Sequence, residues 1–202
     1  MKLIVVTEPG FFVGEEKIIT ALFEEGLELL HLRKPNTPVA DSERLLTLIP
    51  EKYHQRIITH DHFCLKEKFN LSGIHLNTRN PHKPADYNGH TSTSCHAVEE
   101  VSVQKANHRY VFLSPIFDSI SKQDYKAAYT PEEIRKAVKQ GIIDTNVMAL
   151  GGINLDNIPK VKDYGFGGAV VLGDLWNRFN PCTDNSCLPV IEHFRKLKQM
   201  AD

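Results

Sequence analysis

Arg33, Asp61, Ser94 and Lys122 each stand at the end of a short apolar or β-branched segment, or in the loop that follows one. Arginine and lysine carry positive charge at neutral pH, and serine adds a neutral hydrogen-bond donor. Donors of this kind, with few carboxylates beside them, suit an anion such as a phosphate better than a neutral ligand. The four residues are far apart in the sequence, so they form one site only if the fold gathers the ends of their segments.

Eight such segments recur along the chain, and helical patterns separate them. The predicted strands are 2–7, 27–33, 56–61, 73–77, 91–96, 110–116, 146–153 and 168–175. Strands that alternate with helices pair in parallel through right-handed crossovers. We therefore predict one α/β domain over residues 1–202, either a closed (β/α)8 TIM barrel or an open doubly wound sheet.

Glycine positions favour the barrel. The segment 7–10 after the first strand does not fit the GxGxxG pattern of a dinucleotide-binding sheet. Gly152 and Gly173 instead follow the seventh and eighth strands, where TIM barrels commonly bind phosphate through backbone amides. In a barrel the C-terminal ends of all strands share one face, so the polar residues above are expected to converge there.

Helix signals support the same alternation. Thr130-Pro131-Glu132-Glu133 has the pattern of a capping box with proline in the first turn. Apolar residues at helical spacing predict further helices over 14–25 and 189–200. Two prolines make the stretch 78–89 a poor helix.

Composition limits the function classes. A formal net charge of -1 gives no reason to expect a nucleic-acid partner or a membrane surface, and the apolar run 3–6 is too short for a signal segment. The four cysteines form no CxxC pair, so we expect reduced thiols in a cytoplasmic protein, with a Cys182–Cys187 bridge as the alternative. Small molecules are the expected partners, and a homo-oligomer is compatible with this composition.

The chain has ten histidines, and their contexts differ. His75 lies between apolar neighbours and is expected to be a hydrogen-bonded core residue. Histidines in polar or helical contexts are expected at the surface: His54, His82, His90, His108 and His193.

A cluster of histidines near one aspartate suggests a zinc or iron site as an alternative, since alternate strand residues share a face. The cluster comprises His60, Asp61, His62 and His96.

Seven motifs together resemble the family of thiamine-phosphate synthase and its relative, thiazole tautomerase, over essentially the whole chain. They are His-Leu-Arg-Lys (31–34), Ile-Ile-Thr-His-Asp (57–61), Gly-Ile-His-Leu (73–76), Ser-Cys-His (94–96), Ser-Pro-Ile-Phe-Asp-Ser-Ile-Ser-Lys (114–122), Ala-Leu-Gly-Gly-Ile (149–153) and Gly-Gly-Ala-Val-Val-Leu-Gly (167–173). The resemblance implies a β/α barrel. It also implies a transferase that joins an aminopyrimidine methyl diphosphate to a thiazole phosphate and releases pyrophosphate with Mg²⁺.

The resemblance also implies roles for individual residues. Arg33 and Lys122 would hold the diphosphate, with Ser94 as a hydrogen-bond donor. Asp61 would bind Mg²⁺, with Asn80 at the position of a second metal-binding aspartate. The implied substrate-binding residues are His31, His60, Ser119, Ser121, Gly152 and Gly173, the last two through amides that hold the thiazole phosphate.

Several positions depart from the synthase pattern. His31 replaces a glutamine that reads the pyrimidine, and His60 replaces an asparagine. The family's lysine two places after the arginine is Pro35 here, although Lys34 adjoins it. Asn80 removes a carboxylate from a site for a hard cation that prefers anionic oxygen. The resemblance therefore predicts a retained diphosphate site and a weakened Mg²⁺ site.

Two other functions remain open at this point. The tautomerase uses a histidine as general acid and base where this chain has Pro115, so His31, His60 or His96 would have to move the proton instead. A barrel that only binds a phosphorylated ligand, without catalysis, is the third hypothesis.

The segment 118–129 is expected to act as a lid over the site.

Overall fold

A computed structural model describes residues 1–118, 127–181, 183–184 and 186–202. Eight parallel strands form a closed barrel in sequence order, which confirms the predicted TIM-barrel architecture. The strands are β1 (Lys2–Val6), β2 (Leu29–Leu32), β3 (Ile57–Thr59), β4 (Gly73–Leu76), β5 (His90–Cys95), β6 (Tyr110–Leu113), β7 (Val147–Leu150) and β8 (Gly168–Val171). Ile4 of β1 is in register with Leu29 on one side and with Val170 on the other, so the first strand closes the sheet.

Helices surround the barrel. They are α1 (Glu15–Glu24), α2 (Val39–Leu48), α3 (Cys64–Lys68), α4 (Val98–Asn107), α5 (Pro131–Lys139), α6 (Ile158–Asp163), α7 (Gly173–Trp176) and α8 (Leu188–Ala201), with a 3-10 turn at Glu51–Arg56. The capping box is present at the start of α5, where the Glu133 amide donates to Thr130 Oγ1 and the Thr130 amide donates to Glu133 Oε2. The segment 78–89 contains turns and no helix, as its prolines predict.

Strand residues alternate between two cores. Leu3 and Val5 of β1 face the helices, while Ile4 and Val6 face the barrel interior. This alternation follows from the two-residue period of a β-strand. The interior apolar cluster also contains Tyr110, Phe112, Met148 and Val170. Apolar packing therefore fills one part of the barrel and leaves the C-terminal end for polar side chains.

Several predicted strands extended too far. The eighth was expected to continue to residue 175, but it ends at Val171, and Gly173–Trp176 forms the short helix α7. The indole Nε1 of Trp176 donates to the backbone oxygen of Val6 at 2.7 Å, so this segment turns back over the end of β1. An apolar sequence does not distinguish a buried strand from a buried helical turn.

Two histidines predicted at the surface are buried. His54 Nε2 lies 3.0 Å from the backbone oxygens of Leu46 and Ile49, and His193 Nε2 lies 2.7 Å from Asp174 Oδ2. These polar partners come from other elements of the fold, and they remove the cost of burying an imidazole. His82 is exposed as predicted, whereas His90 and His108 are half-buried.

The reduced state of the cysteines stays a prediction. Cys64, Cys95 and Cys187 are free thiols. Cys182, the other member of the alternative bridge, lies outside the described residues. None of the helices in the described part of the chain has the length and apolar content needed to cross a membrane.

A fully buried ion pair fixes the end of β2 to α1. Lys34 Nζ donates to Glu15 Oε1 at 2.6 Å, to Glu15 Oε2 at 2.8 Å and to the backbone oxygen of Gly10 at 2.6 Å. Burial raises the pKa of Glu15 to about 7, although the Lys34 ammonium opposes this shift. Lys34 is therefore a structural residue and does not replace the lysine missing at Pro35.

We predict that Lys34→Met lowers the free energy of unfolding by about 3–5 kcal/mol, because it leaves the Glu15 carboxylate buried without its cation. Urea unfolding measures the change. The matched control is Lys68→Met, which breaks the exposed Lys68–Glu43 pair and should cost at most about 1 kcal/mol. Equal losses in the two variants would contradict a buried structural pair.

Candidate active site

A cleft of about 730 Å³ opens at the C-terminal ends of the strands. Strand termini and the loops after them supply most of its wall, as the barrel fold predicts, and Gln104 of α4 and His108 before β6 also line it. Its polar and charged wall includes Glu8, Arg33, His60, His75, Arg79, Ser94, His96 and Gly173. The structure thus brings together Arg33 and Ser94, two of the predicted diphosphate ligands.

Arg33 is the first residue after β2. Its amide donates to Thr7 Oγ1 at 2.9 Å, and the Thr7 hydroxyl donates to the Arg33 backbone oxygen at 3.2 Å. This pair of bonds fixes the Arg33 backbone to the end of β1. Partial burial lowers the pKa of Arg33, and the charge of Arg79 adds to this shift while Asp61 opposes it. Two guanidinium groups and one carboxylate therefore act on one another at the cleft.

A hydrogen-bonded chain of side chains begins at His60 on the cleft wall and runs into the barrel interior. Its Nε2 lies 2.7 Å from His31 Nδ1, and His31 Nε2 lies 2.7 Å from the Tyr110 hydroxyl. His31 is completely buried, so it supports His60 from inside the barrel. The ring of His31 does not line the cleft, which gives no support to the predicted contact between His31 and the substrate.

The same chain returns to the cleft through β5 and β4. Tyr110 bonds to Ser92, whose Oγ lies 2.9 Å from His75 Nδ1, and His75 Nε2 lies 3.0 Å from Ser94 Oγ. Strand register explains the arrangement, because His75 is paired with Ser92 and Ser92 with Tyr110 in one layer of the barrel. The prediction of His75 as a hydrogen-bonded core residue is confirmed.

Burial keeps these imidazoles neutral. The pKa values of His31 and His60 lie well below the ordinary value of 6.5, and that of His75 falls to about 3. Desolvation is the main cause for all three, and Arg33 adds electrostatic repulsion at His60 and His75. A neutral imidazole has one donor and one acceptor. Both nitrogens of His31 and of His75 are bonded within the network, whereas His60 uses Nε2 and lines the cleft, so His60 is the ring placed to contact a heterocycle.

Such low pKa values weigh against an acid–base role. A proton shuttle works best when its pKa lies near the working pH, and His31 and His60 are far below it. His96 is exposed, with Nδ1 3.2 Å from the backbone oxygen of Ser114. The buried histidines are better suited to orienting a ring than to the proton transfer of a tautomerase.

Asp61 and Asn80 lie in contact behind Arg79, which lines the cleft. Asp61 Oδ1 accepts from Asn80 Nδ2 at 3.2 Å and from Arg79 Nη2 at 3.1 Å, and its Oδ2 accepts from the Lys34 amide at 3.2 Å. Both carboxylate oxygens thus face N–H donors, one of them cationic. These residues do not fit Mg²⁺, which requires anionic or neutral oxygen ligands around it.

The alternative zinc or iron site at His60, Asp61, His62 and His96 is wrong. Within the described ranges, His62 Nε2 instead lies 2.8 Å from the Thr37 backbone oxygen. The histidines whose nitrogens do approach one another are His31, His60 and His75. The His60 and His75 rings stack 4.1 Å apart with planes 19° from parallel. Their in-plane lone pairs therefore do not converge on one ion.

Of the two predicted phosphate glycines, one lines the cleft. Gly173 lines the cleft, whereas Gly152 is not among the described residues of its wall. Gly152 has φ +65, and a side chain there would collide with the Asp118 backbone oxygen. Its role visible here is to let the turn after β7 pack under the loop after β6.

Three predicted ligands, Ser119, Ser121 and Lys122, lie outside the described residues, as does most of the expected lid 118–129. At the borders of this segment, the Ala127 amide donates to Asp118 Oδ1 at 2.7 Å and the Tyr129 hydroxyl donates to the His96 backbone oxygen at 2.7 Å.

Sequence reasoning missed Arg79, Ser92 and Tyr110. Arg79 resembled an ordinary polar loop residue, and its approach to Asp61 depends on the fold. Ser92 and Tyr110 had one usable signal, since alternation along β5 and β6 places both on the inward face.

Comparison with known proteins agrees with the fold and identifies a family. The model of a family described as thiamine monophosphate synthase matches residues 3–175. A crystal structure of thiamine phosphate pyrophosphorylase from Bacteroides thetaiotaomicron is 66% identical, with a TM-score of 0.94 over 100% of this chain and 98% of that chain.

More distant proteins give the same picture. Thiamine-phosphate synthase from Halalkalibacterium halodurans is 27% identical over 75% of this chain and 79% of its own. Thiamine phosphate pyrophosphorylase from Pyrococcus furiosus has a TM-score of 0.75 over 99% of this chain and 95% of its own, and at 20% identity it shows the fold alone.

The buried histidines predict that the free energy of unfolding decreases as the pH is lowered below about 6.5. The folded pKa values of His31, His60 and His75 lie below the unfolded value of 6.5, so only the unfolded chain takes up protons in this range. Each histidine then contributes a slope of about 1.4 kcal/mol per pH unit. Glu15, whose pKa is raised to about 7, opposes the effect with one proton.

Urea unfolding at a series of pH values measures this slope. His31→Gln should reduce it by about one proton, whereas the control His82→Gln, at an exposed position, should leave it unchanged. An equal slope in the wild type and His31→Gln would show that His31 is protonated in the folded state.

Proposed function

Because the chain belongs to the thiamine monophosphate synthase family, we propose that it joins an aminopyrimidine methyl diphosphate to a thiazole phosphate and releases pyrophosphate. The observation that carries this proposal is the juxtaposition of cationic and neutral walls in one cleft. Arg33 and Arg79 lie on the wall together with the neutral rings of His60 and His75. The cations suit a diphosphate, and the imidazoles suit a flat heterocycle.

The reaction breaks one bond and forms another without an obligatory proton transfer. The bond between the pyrimidine methylene carbon and the diphosphate oxygen breaks, and its electron pair leaves with pyrophosphate. The lone pair of the thiazole nitrogen then forms the new carbon–nitrogen bond. Charge develops on the leaving diphosphate, so fixed positive charge around it supplies most of the transition-state stabilisation.

Neutral imidazoles also suit the other fragment. Loss of diphosphate leaves positive charge on the pyrimidine methylene group, and a protonated histidine beside it would oppose that charge. The buried network keeps His60 and His75 unprotonated near pH 7. The departure from asparagine at His60 is therefore compatible with a synthase, because a neutral imidazole on the cleft wall still offers a hydrogen bond, while His31 supports His60 from behind.

The remaining roles are proposed by family resemblance. Lys122 and Ser94 would bind the diphosphate beside Arg33, and Ser119 and Ser121 would contact substrate phosphates. Backbone amides near Gly152 and Gly173 would hold the thiazole phosphate, which the position of Gly173 on the cleft wall supports.

We place the protein in the cytoplasm, with small phosphorylated molecules as its partners and no nucleic acid. The reduced thiols expected from the sequence are the basis for the compartment. Assembly into a homo-oligomer stays a prediction. The use of Mg²⁺ that the family resemblance implies is untested, and the N–H donors around Asp61 weigh against it.

We predict that Arg33→Met lowers kcat/KM for thiamine phosphate formation by about 10²–10³, because a charged donor to the leaving diphosphate is lost. Coupled detection of pyrophosphate together with chromatography of thiamine phosphate measures the effect. Arg44→Met, at an exposed position on α2, is the control and should retain wild-type activity. Full activity of Arg33→Met would remove Arg33 from the diphosphate site.

Lys122→Ala separates the synthase from the tautomerase. A synthase that needs this ammonium to neutralise diphosphate should lose nearly all activity, whereas isomerisation of a thiazole phosphate has no diphosphate to neutralise. Isomerisation is followed by NMR of the thiazole phosphate alone. Isomerisation that persists in Lys122→Ala, without pyrophosphate release by the wild type, would establish the tautomerase instead.

A further inference from the structure

Among the residues that the structure describes, the guanidinium of Arg79 contacts the Asp61 carboxylate directly. Arg79 Nη2 and Nε lie 3.1 Å and 3.4 Å from Asp61 Oδ1. The Asp61 side chain is 10% exposed and that of Arg79 is 34% exposed, so the carboxylate is shielded while the guanidinium reaches the cleft. The positive charge beside this carboxylate is thus a guanidinium.

The loop after β4 holds Arg79 in this position. Asn77 Oδ1 accepts from the Arg79 amide at 3.0 Å and from the Asn80 amide at 3.2 Å, while Asn77 Nδ2 donates to the His60 backbone oxygen at 2.8 Å. Asn77 and Asn80 also exchange backbone hydrogen bonds. The turn is therefore tied to the end of β3, and the guanidinium is positioned before any ligand arrives.

Arg79 acts together with Arg33. Both line the same cleft, and the charge of Arg79 contributes to the lowered pKa of Arg33. Two guanidinium groups offer several N–H donors in fixed forks, the geometry that suits the oxygens of adjacent phosphoryl groups. The Asp61 carboxylate, bonded to Arg79 Nη2 and Nε, also opposes the lowering of the Arg33 pKa that the Arg79 charge contributes to.

We propose that the guanidinium of Arg79, held on Asp61, takes the place of a divalent cation and forms with Arg33 a metal-independent site for a diphosphate. The inference rests on the proposed function, since it concerns how that reaction's diphosphate is held. Asp61 is then a positioning residue that orients Arg79, and it is not a metal ligand. Asn80 has the same task, because its amide donates to Asp61 and leaves the carboxylate oxygens facing donors only.

This arrangement changes how the leaving group is stabilised. A metal ion would share the negative charge of pyrophosphate through oxygen coordination, whereas guanidinium groups share it through charged hydrogen bonds. No bond to the protein forms, and pyrophosphate departs with the electron pair of the broken carbon–oxygen bond. The site binds two phosphoryl groups, so a single phosphate ion should engage it much more weakly.

Calorimetric titration of the full chain with inorganic pyrophosphate tests the inference. In the presence of a chelator, wild-type protein should bind pyrophosphate at least tenfold more tightly than orthophosphate. Added Mg²⁺ should change the dissociation constant less than threefold. Wild-type protein that binds pyrophosphate only with Mg²⁺, or at least tenfold more tightly with it, would overturn the inference, as would no binding at all.

Variants identify the cation. Arg79→Met should weaken metal-free binding at least tenfold, while Arg135→Met on α5, an exposed arginine far from the cleft, should bind as the wild type does. Thermal unfolding checks that each variant is folded, and Arg79→Gln, which keeps a hydrogen bond to Asp61, replaces Arg79→Met if the latter is not. Unchanged binding in the folded Arg79 variant would contradict the inference.

A double variant tests the exchange directly. Arg79→Asp with Asn80→Asp provides three carboxylates with Asp61, so pyrophosphate binding should be lost in chelator and regained at least tenfold with Mg²⁺. Binding as tight as wild type in chelator would contradict the inference. Metal-free pyrophosphate binding without thiamine phosphate formation would contradict the proposed function alone, whereas turnover that requires Mg²⁺ would contradict only the inference.

Discussion

The hydrogen bonds between β1 and β8 close the barrel, and the site depends on this closure. They bring the first and last strands into register at Ile4 and Val170, so every strand ends on the same rim. Residues from the ends of β2, β3, β4 and β5 then share one cleft wall. The same closure creates an interior without access to bulk water, in which a polar side chain must find its partner within the protein.

That requirement explains the histidine network. His31 and His75 lie on β2 and β4, His60 directly follows β3, and each ring has a hydrogen-bond partner among the side chains of the network. Desolvation keeps the rings neutral, and neutrality makes them compatible with a cleft that also contains cations. The same residues therefore meet two needs. They satisfy the hydrogen bonds of buried polar groups, and they present an uncharged surface to the cleft.

The charged residues at and below the cleft have two kinds of task. Lys34 and Glu15 neutralise each other in the interior and fix the end of β2. Arg33 and Arg79 remain on the cleft wall, and Asp61 orients one of them. Three cationic residues close in space thus have different tasks, which are set by burial and by the nearest carboxylate rather than by residue type.

The sequence by itself determined the barrel, because strand and helix periodicity together with the strand count leave few topologies, and it located Arg33, Asp61, Ser94 and the cleft-lining Gly173 on the rim. The sequence predicted the strand boundaries less accurately. Residues 173–175 were predicted as strand and form part of α7, because a local apolar run does not specify its backbone conformation. Only the tertiary structure decided that Lys34 is buried, that His31 lies beneath His60 and that Arg79 reaches Asp61. These facts depend on contacts between segments far apart in the chain, where burial and the identity of the nearest charge decide what each side chain can do.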